Sequence, residues 1–312
     1  MKTYKTIFFG TPEFAVPVLE CLLKLSFIDL LAVVTQPDKP VGKKQTITPP
    51  PVKTFALKNN LTVLQPASIK SSDFIKTLKK YQPDVVVIIA YGKIITKQLL
   101  EIPQYGWLNI HASLLPNYRG ASPIQAAILA GDGETGVTLM KINQGLDTGP
   151  VISQLAIPIA KHDNAETLHD KLSQLGGKIV AKDLLNYLKG DLPPQNQTQS
   201  PTPVCKTIKK EDGQINWNNS AEKIERQIRA YTPWPGTYCY WNDKRLKIIE
   251  ASVSQAKNSL SPGEVSLIDN KIVVGCGKNS LELKIIQLAG KKPMNIQSFI
   301  KGYPDFGEAK LT

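Results

Sequence analysis

Acidic charge, cysteine, aromatic side chains and long apolar runs are all scarce in this 312-residue chain, and each scarcity excludes something. The longest apolar run is Val85 to Ala90. That is far short of the roughly 20 residues a helix needs to cross a bilayer, so neither a membrane span nor a membrane partner is expected. The start, Thr6-Ile7-Phe8-Phe9 before Gly10, is too short for a signal-peptide core and reads as a first buried strand. Cys21, Cys205, Cys239 and Cys276 lie far apart with no C-x-x-C pair. They point to structural thiols in a reducing, cytoplasmic compartment, with no disulfide framework and no metal. Neither G-x-G-x-x-G nor G-x-x-x-x-G-K-[ST] occurs, so no cradle for dinucleotide or ATP phosphates is expected.

What is present is a globular composition, 42% hydrophobic, with 38 Lys and Arg against 26 acids. The net charge of +12 divides into +7 for residues 1–190 and +5 for the remainder. An excess shared by both halves permits a basic surface for a polyanion, and equally describes a merely soluble basic protein.

Along the first 150 residues, strand-like and helix-like segments alternate. Strands are expected at 6–9, 30–35, 61–64, 84–90 and 107–110, with helices near 13–25, 52–58, 72–80 and 123–130. The run Val85-Val86-Val87-Ile88-Ile89 is β-branched throughout and bounded by turn residues, which indicates a strand buried on both faces. This rhythm predicts an α/β fold with a doubly wound, mostly parallel, Rossmann-like sheet whose ligands lie beyond the strands' carboxyl ends. Strands at 136–142 and 151–157 and a long helix at 165–188 complete a first domain, residues 1–189. The polar, Pro-rich segment 190–207 reads as a linker. Beyond it, a helix near 220–230 and five short strands predict a smaller OB-like β-barrel, residues 208–312.

Asn109 and His111 flank Ile110 at the end of the 107–110 strand, so an amide and an imidazole project from one face. Asp147 lies in a loop between Gly145 and Gly149. The three lack a nucleophile, which argues against an acyl-enzyme but suits acyl transfer to an external amine. A strand-end histidine is also a common structural residue, and an aspartate between glycines a common turn former. Spacing does not decide between these readings.

The residues Asn109-Ile110-His111-Ala112-Ser113-Leu114-Leu115-Pro116, then Tyr118-Arg119-Gly120 and Pro123-Ile124, resemble the signature of formyltransferases that use 10-formyltetrahydrofolate. The resemblance covers nearly the whole chain, from the Gly10-Thr11-Pro12-Glu13-Phe14 segment through Leu146-Asp147-Thr148-Gly149-Pro150 to Pro233-Trp234-Pro235-Gly236. The amino-terminal and Pro-Trp-Pro-Gly segments place it with the branch that formylates the α-amine of methionyl-initiator tRNA. The resemblance implies Asn109, His111 and Asp147 as catalytic residues; in the expected reaction Asp147, directly or through water, holds the histidine tautomer and helps relay protons. It implies Ser113, Leu114, Leu115 and Pro116 as folate contacts, together with Tyr91, Gly92 and Ile94, although the last three also read as a core strand leading into a loop. The co-substrate would be 10-formyltetrahydrofolate, without a metal, and the protein a monomer with no DNA partner.

The segment 38–45 matches a loop that family members insert against the tRNA acceptor stem. Lys39 and Lys43 stand where arginines are frequent, giving charge without a bidentate fork. Lys39, Lys43, Lys44, Lys206, Lys209, Lys210, Arg226 and Arg229 are the candidate tRNA contacts, and a solvated surface describes each of them equally. Two other functions stay open: a formyltransferase for an amino-sugar nucleotide, and a tRNA-binding or folate-sensing protein with a dead site.

Overall fold

The computed structural model describes residues 2–42, 44–254 and 260–312. Among these the chain forms two compact units. The first comprises residues 1–123, 134–158 and 169–205, and the second 124–133, 159–168 and 206–312. The contiguous blocks expected from the sequence therefore differ from the contact-defined units. Two inner segments group with the second unit, and the chain remains in the first unit as far as Cys205.

The first unit is built on strands β1 (Tyr4–Gly10) and β2 (Ile28–Val34), linked by helix α1 (Val16–Lys24). A hairpin of β3 (Lys39–Val41) and β4 (Thr46–Thr48) follows, where the sequence suggested only a loop. Next come helix α2 (Pro51–Lys58), strand β5 (Val63–Leu64), helix α3 (Ser72–Tyr81) and strand β6 (Val85–Ile89). The short helix α4 (Lys97–Leu100) leads to β7 (Trp107–His111). After helix α5 (Pro123–Ala130), which groups with the second unit from Ile124 on, β8 (Glu134–Lys141) and β9 (Val151–Pro158) precede the long helix α6 (Ala165–Lys189), whose first turn does likewise.

The sheet order is β5-β2-β1-β6-β7-β8-β9. From β5 to β7 all neighbours pair in parallel, whereas β8 and β9 add an antiparallel margin. Strand order reverses between β1 and β6, so the crevice where such sheets bind ligands opens beside Gly10 and Ile89. Every residue of β6 is buried, as its apolar run requires. One face of the sheet is closed by edge-to-face aromatics: Phe9 packs on Phe74 at 6.2 Å, on Tyr91 at 5.1 Å and, tilted, on Trp107 at 4.8 Å. The Trp107 indole N–H donates to the Leu99 carbonyl at 2.7 Å, so this tryptophan is buried without an orphaned donor.

In the second unit, helix α7 (Ala221–Tyr231) packs on an antiparallel sheet of short strands, the arrangement expected for an OB-like domain. The strands are β10 (Thr237–Trp241), β11 (Lys244–Val253), β12 (Val265–Ile268), β13 (Lys271–Gly275), β14 (Ser280–Leu288) and β15 (Met294–Asn295). A last helix, α8 (Ile296–Gly302), closes the core, with Phe299 and Trp241 in contact at 5.7 Å. Trp217, Tyr231, Tyr238 and Trp241 are buried; Trp234 and Tyr240 are exposed. Among the described residues, no helix is long and apolar enough to cross a membrane.

Candidate active site

β7 is locked between β6 and β8, with Asn109 opposite Ile88 on one side and Met140 on the other. That pairing fixes the backbone from which Asn109 and His111 project. His111 is buried, and its Nε2 lies 2.9 Å from the Tyr118 carbonyl. A carbonyl can only accept, so Nε2 carries the hydrogen and the neutral ring presents a bare Nδ1. Nδ1 faces the Asp147 carboxylate, with Oδ2 at 3.7 Å. This is too long for a hydrogen bond. The Tyr118 main chain thus sets the tautomer without a direct hydrogen bond from Asp147, which stands where a proton arriving on Nδ1 would meet negative charge. Asn109 is half-buried, and its side-chain amide has no hydrogen-bond partner among the described residues, which leaves both N–H groups to donate elsewhere.

Asp147 reaches this position by an indirect route. Register pairs His111 with Thr138 and Leu108 with Lys141, so the loop after Lys141 must fold back along β7 before Asp147 can meet His111. Two devices hold the loop there. Gly149 sits so close to the Lys141 carbonyl that a Cβ would collide with it. Asp147 takes a left-handed backbone, φ 52°, which aspartate tolerates better than most residues. Its Oδ2 then accepts the Gly120 amide hydrogen at 2.9 Å.

The turn after β7 is held from below. The buried Thr138 hydroxyl donates to the Ser113 carbonyl at 2.6 Å and accepts from the Leu115 amide at 3.0 Å. Gln154 Nε2 donates to the Leu115 carbonyl at 2.8 Å and to Thr138 Oγ1 at 2.9 Å. The Leu115–Pro116 bond is cis. Ser113 is fully buried, its hydroxyl given to the Asn117 carbonyl at 2.6 Å, and Leu115 is buried as well, while Leu114 and Pro116 are half-buried. Thr138→Val should remove the shared hydroxyl and leave a buried amide and a carbonyl unpaired. A loss of about 1–3 kcal/mol in urea unfolding is expected. A change under about 0.5 kcal/mol would show that this network does not hold the turn.

The other sequence candidates are placed as follows. The Tyr91 side chain is buried against Phe9, and burial pushes its phenol up to about 12, so only its main chain is available to a ligand. Gly92 and Ile94 are exposed, with open space where a Cβ on Gly92 would stand and Ile94 80% exposed. Leu146, beside Asp147, is likewise exposed. Lys39, Lys44, Lys206, Lys209 and Lys210 are exposed, and Lys43 lies outside the described residues. Arg229 is bound by both oxygens of Glu225, at 2.6 and 3.1 Å, and by the Asp163 carbonyl at 3.0 Å, so its charge is matched internally. Arg226 is half-buried against Gly131. Among the described residues no group of His, Cys, Asp or Glu is placed to hold a metal ion.

Sequence reasoning missed the base of the β3–β4 hairpin. Asp38 accepts from Lys53 Nζ at 2.7 and 2.8 Å and from Gln65 Nε2 at 2.7 Å, and these partners hold its carboxyl below the usual range. Gln36 extends the tie to the Tyr91 carbonyl at 3.1 Å. Thr138, Gln154 and Gln197 were also missed, because each binds main-chain groups as well as side chains distant in sequence, and neither leaves a motif.

The chain is similar to known proteins in sequence and in fold. The family described as "Formyl transferase" matches residues 4–184, and its "Formyl transferase, C-terminal domain" matches residues 207–304. A protein of Thermodesulfovibrio yellowstonii named methionyl-tRNA formyltransferase is 45% identical over 296 residues, 95% of each chain. One of the same name from Citrifermentans bemidjiense is 42% identical over 304 residues, 97% of this chain and 95% of its own. Among solved structures, an N-formyltransferase from Helicobacter canadensis in complex with folinic acid and dTDP-3-aminofucose has a TM-score of 0.63 at 21% identity. It covers 90% of this chain and 98% of its own. HypX from Aquifex aeolicus, in complex with tetrahydrofolic acid, shares the fold with a TM-score of 0.63 at 15% identity, over 97% of this chain and 48% of its own. With both family domains matched and relatives above 40% identity along nearly the whole sequence, the chain belongs to the formyl transferase family.

Proposed function

We propose that this enzyme transfers the formyl group of 10-formyltetrahydrofolate to the α-amine of methionine esterified to initiator tRNA. The observation that carries the reading is an unpartnered Asn109 side-chain amide on the same strand as a His111 ring whose bare Nδ1 faces Asp147, in a chain matched over 95% of its length by a methionyl-tRNA formyltransferase. Asn109, His111 and Asp147 are the catalytic residues of this proposal. The first unit would carry the chemistry and the second would bind tRNA, with 206–210 and the β3–β4 hairpin contributing basic contacts.

The residues suit the folate donor. Beyond β6 the exposed Gly92 main chain and the apolar Ile94 offer a polar edge and a greasy one to a flat heterocycle, and the Ser113–Pro116 turn borders the catalytic strand. The donor supplies a formyl carbon on N10. The neutral amine attacks that carbon, a new C–N bond forms, and Asn109 donates to the oxygen as charge gathers on it. The amine must lose one proton and N10 must gain one as its bond to carbon breaks. His111 Nδ1 is the base poised to carry it, and Asp147 stabilises the imidazolium during the transfer.

Charged initiator tRNA incubated with 10-formyltetrahydrofolate should yield N-formylmethionyl-tRNA and tetrahydrofolate, with elongator methionyl-tRNA a poorer substrate. The attacking amine must be neutral, so the rate should fall as the pH is lowered through its titration. Turnover of an amino-sugar nucleotide without tRNA would transfer the reading to the sugar-modifying enzymes. Absence of turnover on any amine would mark the site as inactive.

A further inference from the structure

Residues 195–205, which read in sequence as part of a linker, are tied one after another to the loops that carry the site. Gln195 and Val151 exchange backbone hydrogen bonds at 2.7 and 2.8 Å. The Ser200 hydroxyl donates to the Pro116 carbonyl at 2.7 Å, and Thr202 Oγ1 accepts the Tyr118 amide at 2.7 Å. Cys205 donates its amide to the Arg119 carbonyl at 2.7 Å and accepts from the Ala121 amide at 2.8 Å. Gly120, at φ 112°, lies so close to the Cys205 carbonyl that no side chain would fit.

Gln197 is the centre of this strap. Its Nε2 donates to the carbonyls of Asp147, at 2.9 Å, and Gly149, at 2.7 Å. Its Oε1 accepts from Arg119 Nε at 3.0 Å and Nη2 at 2.7 Å. A primary amide has two donors and two acceptor positions, and all four are used here. The two loops it joins are those that position the chemistry. Residues 118–120 supply the carbonyl for His111 Nε2 and the amide for Asp147 Oδ2, while residues 147–149 hold Asp147 in its left-handed conformation.

We propose that Gln197 is a positioning residue for formyl transfer: by tying Arg119 to the Asp147–Gly149 main chain, it fixes the Asp147 carboxylate relative to His111 Nδ1. The inference rests on the reaction proposed above, so it is tested with two readouts in the full-length chain. Gln197→Met removes all four hydrogen bonds. Gln197→Glu keeps an acceptor for Arg119 but sets a carboxylate against two carbonyls. Both variants should lower kcat by about 10- to 100-fold, the scale of a misplaced catalytic group, with KM for donor and tRNA within about twofold. Independently of turnover, hydrogen exchange at the Gly120 amide should accelerate at least about tenfold, while the amides of β6 and β7 keep their protection as a control for folding.

A kcat within about twofold of the parent enzyme in both variants would overturn the proposal, as would a loss confined to KM. Parent-like turnover in Gln197→Glu alone would show that the Arg119 contact suffices and would equally overturn the tie. If the parent enzyme itself formylates nothing, the proposed reaction fails. The tie is then judged by Gly120 exchange alone, and unchanged exchange refutes it.

Discussion

Asn109→Ala is expected to lower kcat by roughly 10²–10³-fold, the usual cost of losing one preorganised oxyanion donor. The strand will not compensate, because β7 is held on both sides by β6 and β8 and the substitution removes only the side chain. Nor does the fold lose a hydrogen bond, since the Asn109 side-chain amide makes none with the described residues. The loss should therefore appear in kcat, with KM for the donor little changed and the unfolding midpoint near that of the parent. Single-turnover formylation under saturating donor measures the chemical step directly. Retention of turnover within about threefold would remove Asn109 from the mechanism, and similar retention in His111→Ala would end the proposed proton transfer.

The second large effect is ionic. If tRNA lies on a track that neutralises six to ten phosphates, raising salt from about 50 to 200 mM should weaken binding by about 10³–10⁵-fold. The net charge of +12 supplies the cations, and the exposed Lys39 and Lys44 of the hairpin are placed to contribute. Lysine contacts phosphate as a point charge, without the planar fork of arginine, so the hairpin's share should be almost wholly salt-sensitive. Lys39→Ala with Lys44→Ala should reduce the slope of log K against log salt by about 1 per lost contact. Filter binding of tRNA across a salt series measures both quantities. Affinity independent of salt would mean that the positive charge serves only solubility.

The legible parts of the fold were those whose signal lies in side-chain pattern. The β-branched run Val85–Ile89 could be little else than a buried strand, and it is one. The period of two that pairs Asn109 with His111 likewise needed no structure. The β3–β4 hairpin was missed because all six of its strand residues are exposed and Pro40 sits inside the first strand, so neither alternation nor composition marks it. Tyr91 entered as a ligand contact only through the family resemblance; its ring packs in the Phe9 cluster, which leaves its main chain for that role. The tautomer of His111 was out of reach for a different reason. Its partner is a main-chain carbonyl, and every residue has one. The same holds for Gln197, whose amide reads as ordinary linker polarity until the carbonyls it binds are known. The meeting of Asp147 with His111 depends on a loop that doubles back along β7, and register alone does not specify that path.

The strap also bears on where this protein can be cut and recombined. A fragment ending with α6 at Lys189 would retain every strand of the first sheet. It would nonetheless strip the Asp147 and Gly149 carbonyls, the Arg119 guanidinium and the Tyr118 amide of their partners at a stroke. A fragment that keeps these ties therefore has to extend at least to Cys205. A junction placed after that residue keeps the strap whole but parts residues 124–133 and 159–168 from the rest of their unit, so an exchanged second unit has to bring side chains that fit those two segments, as Arg229 fits the Asp163 carbonyl.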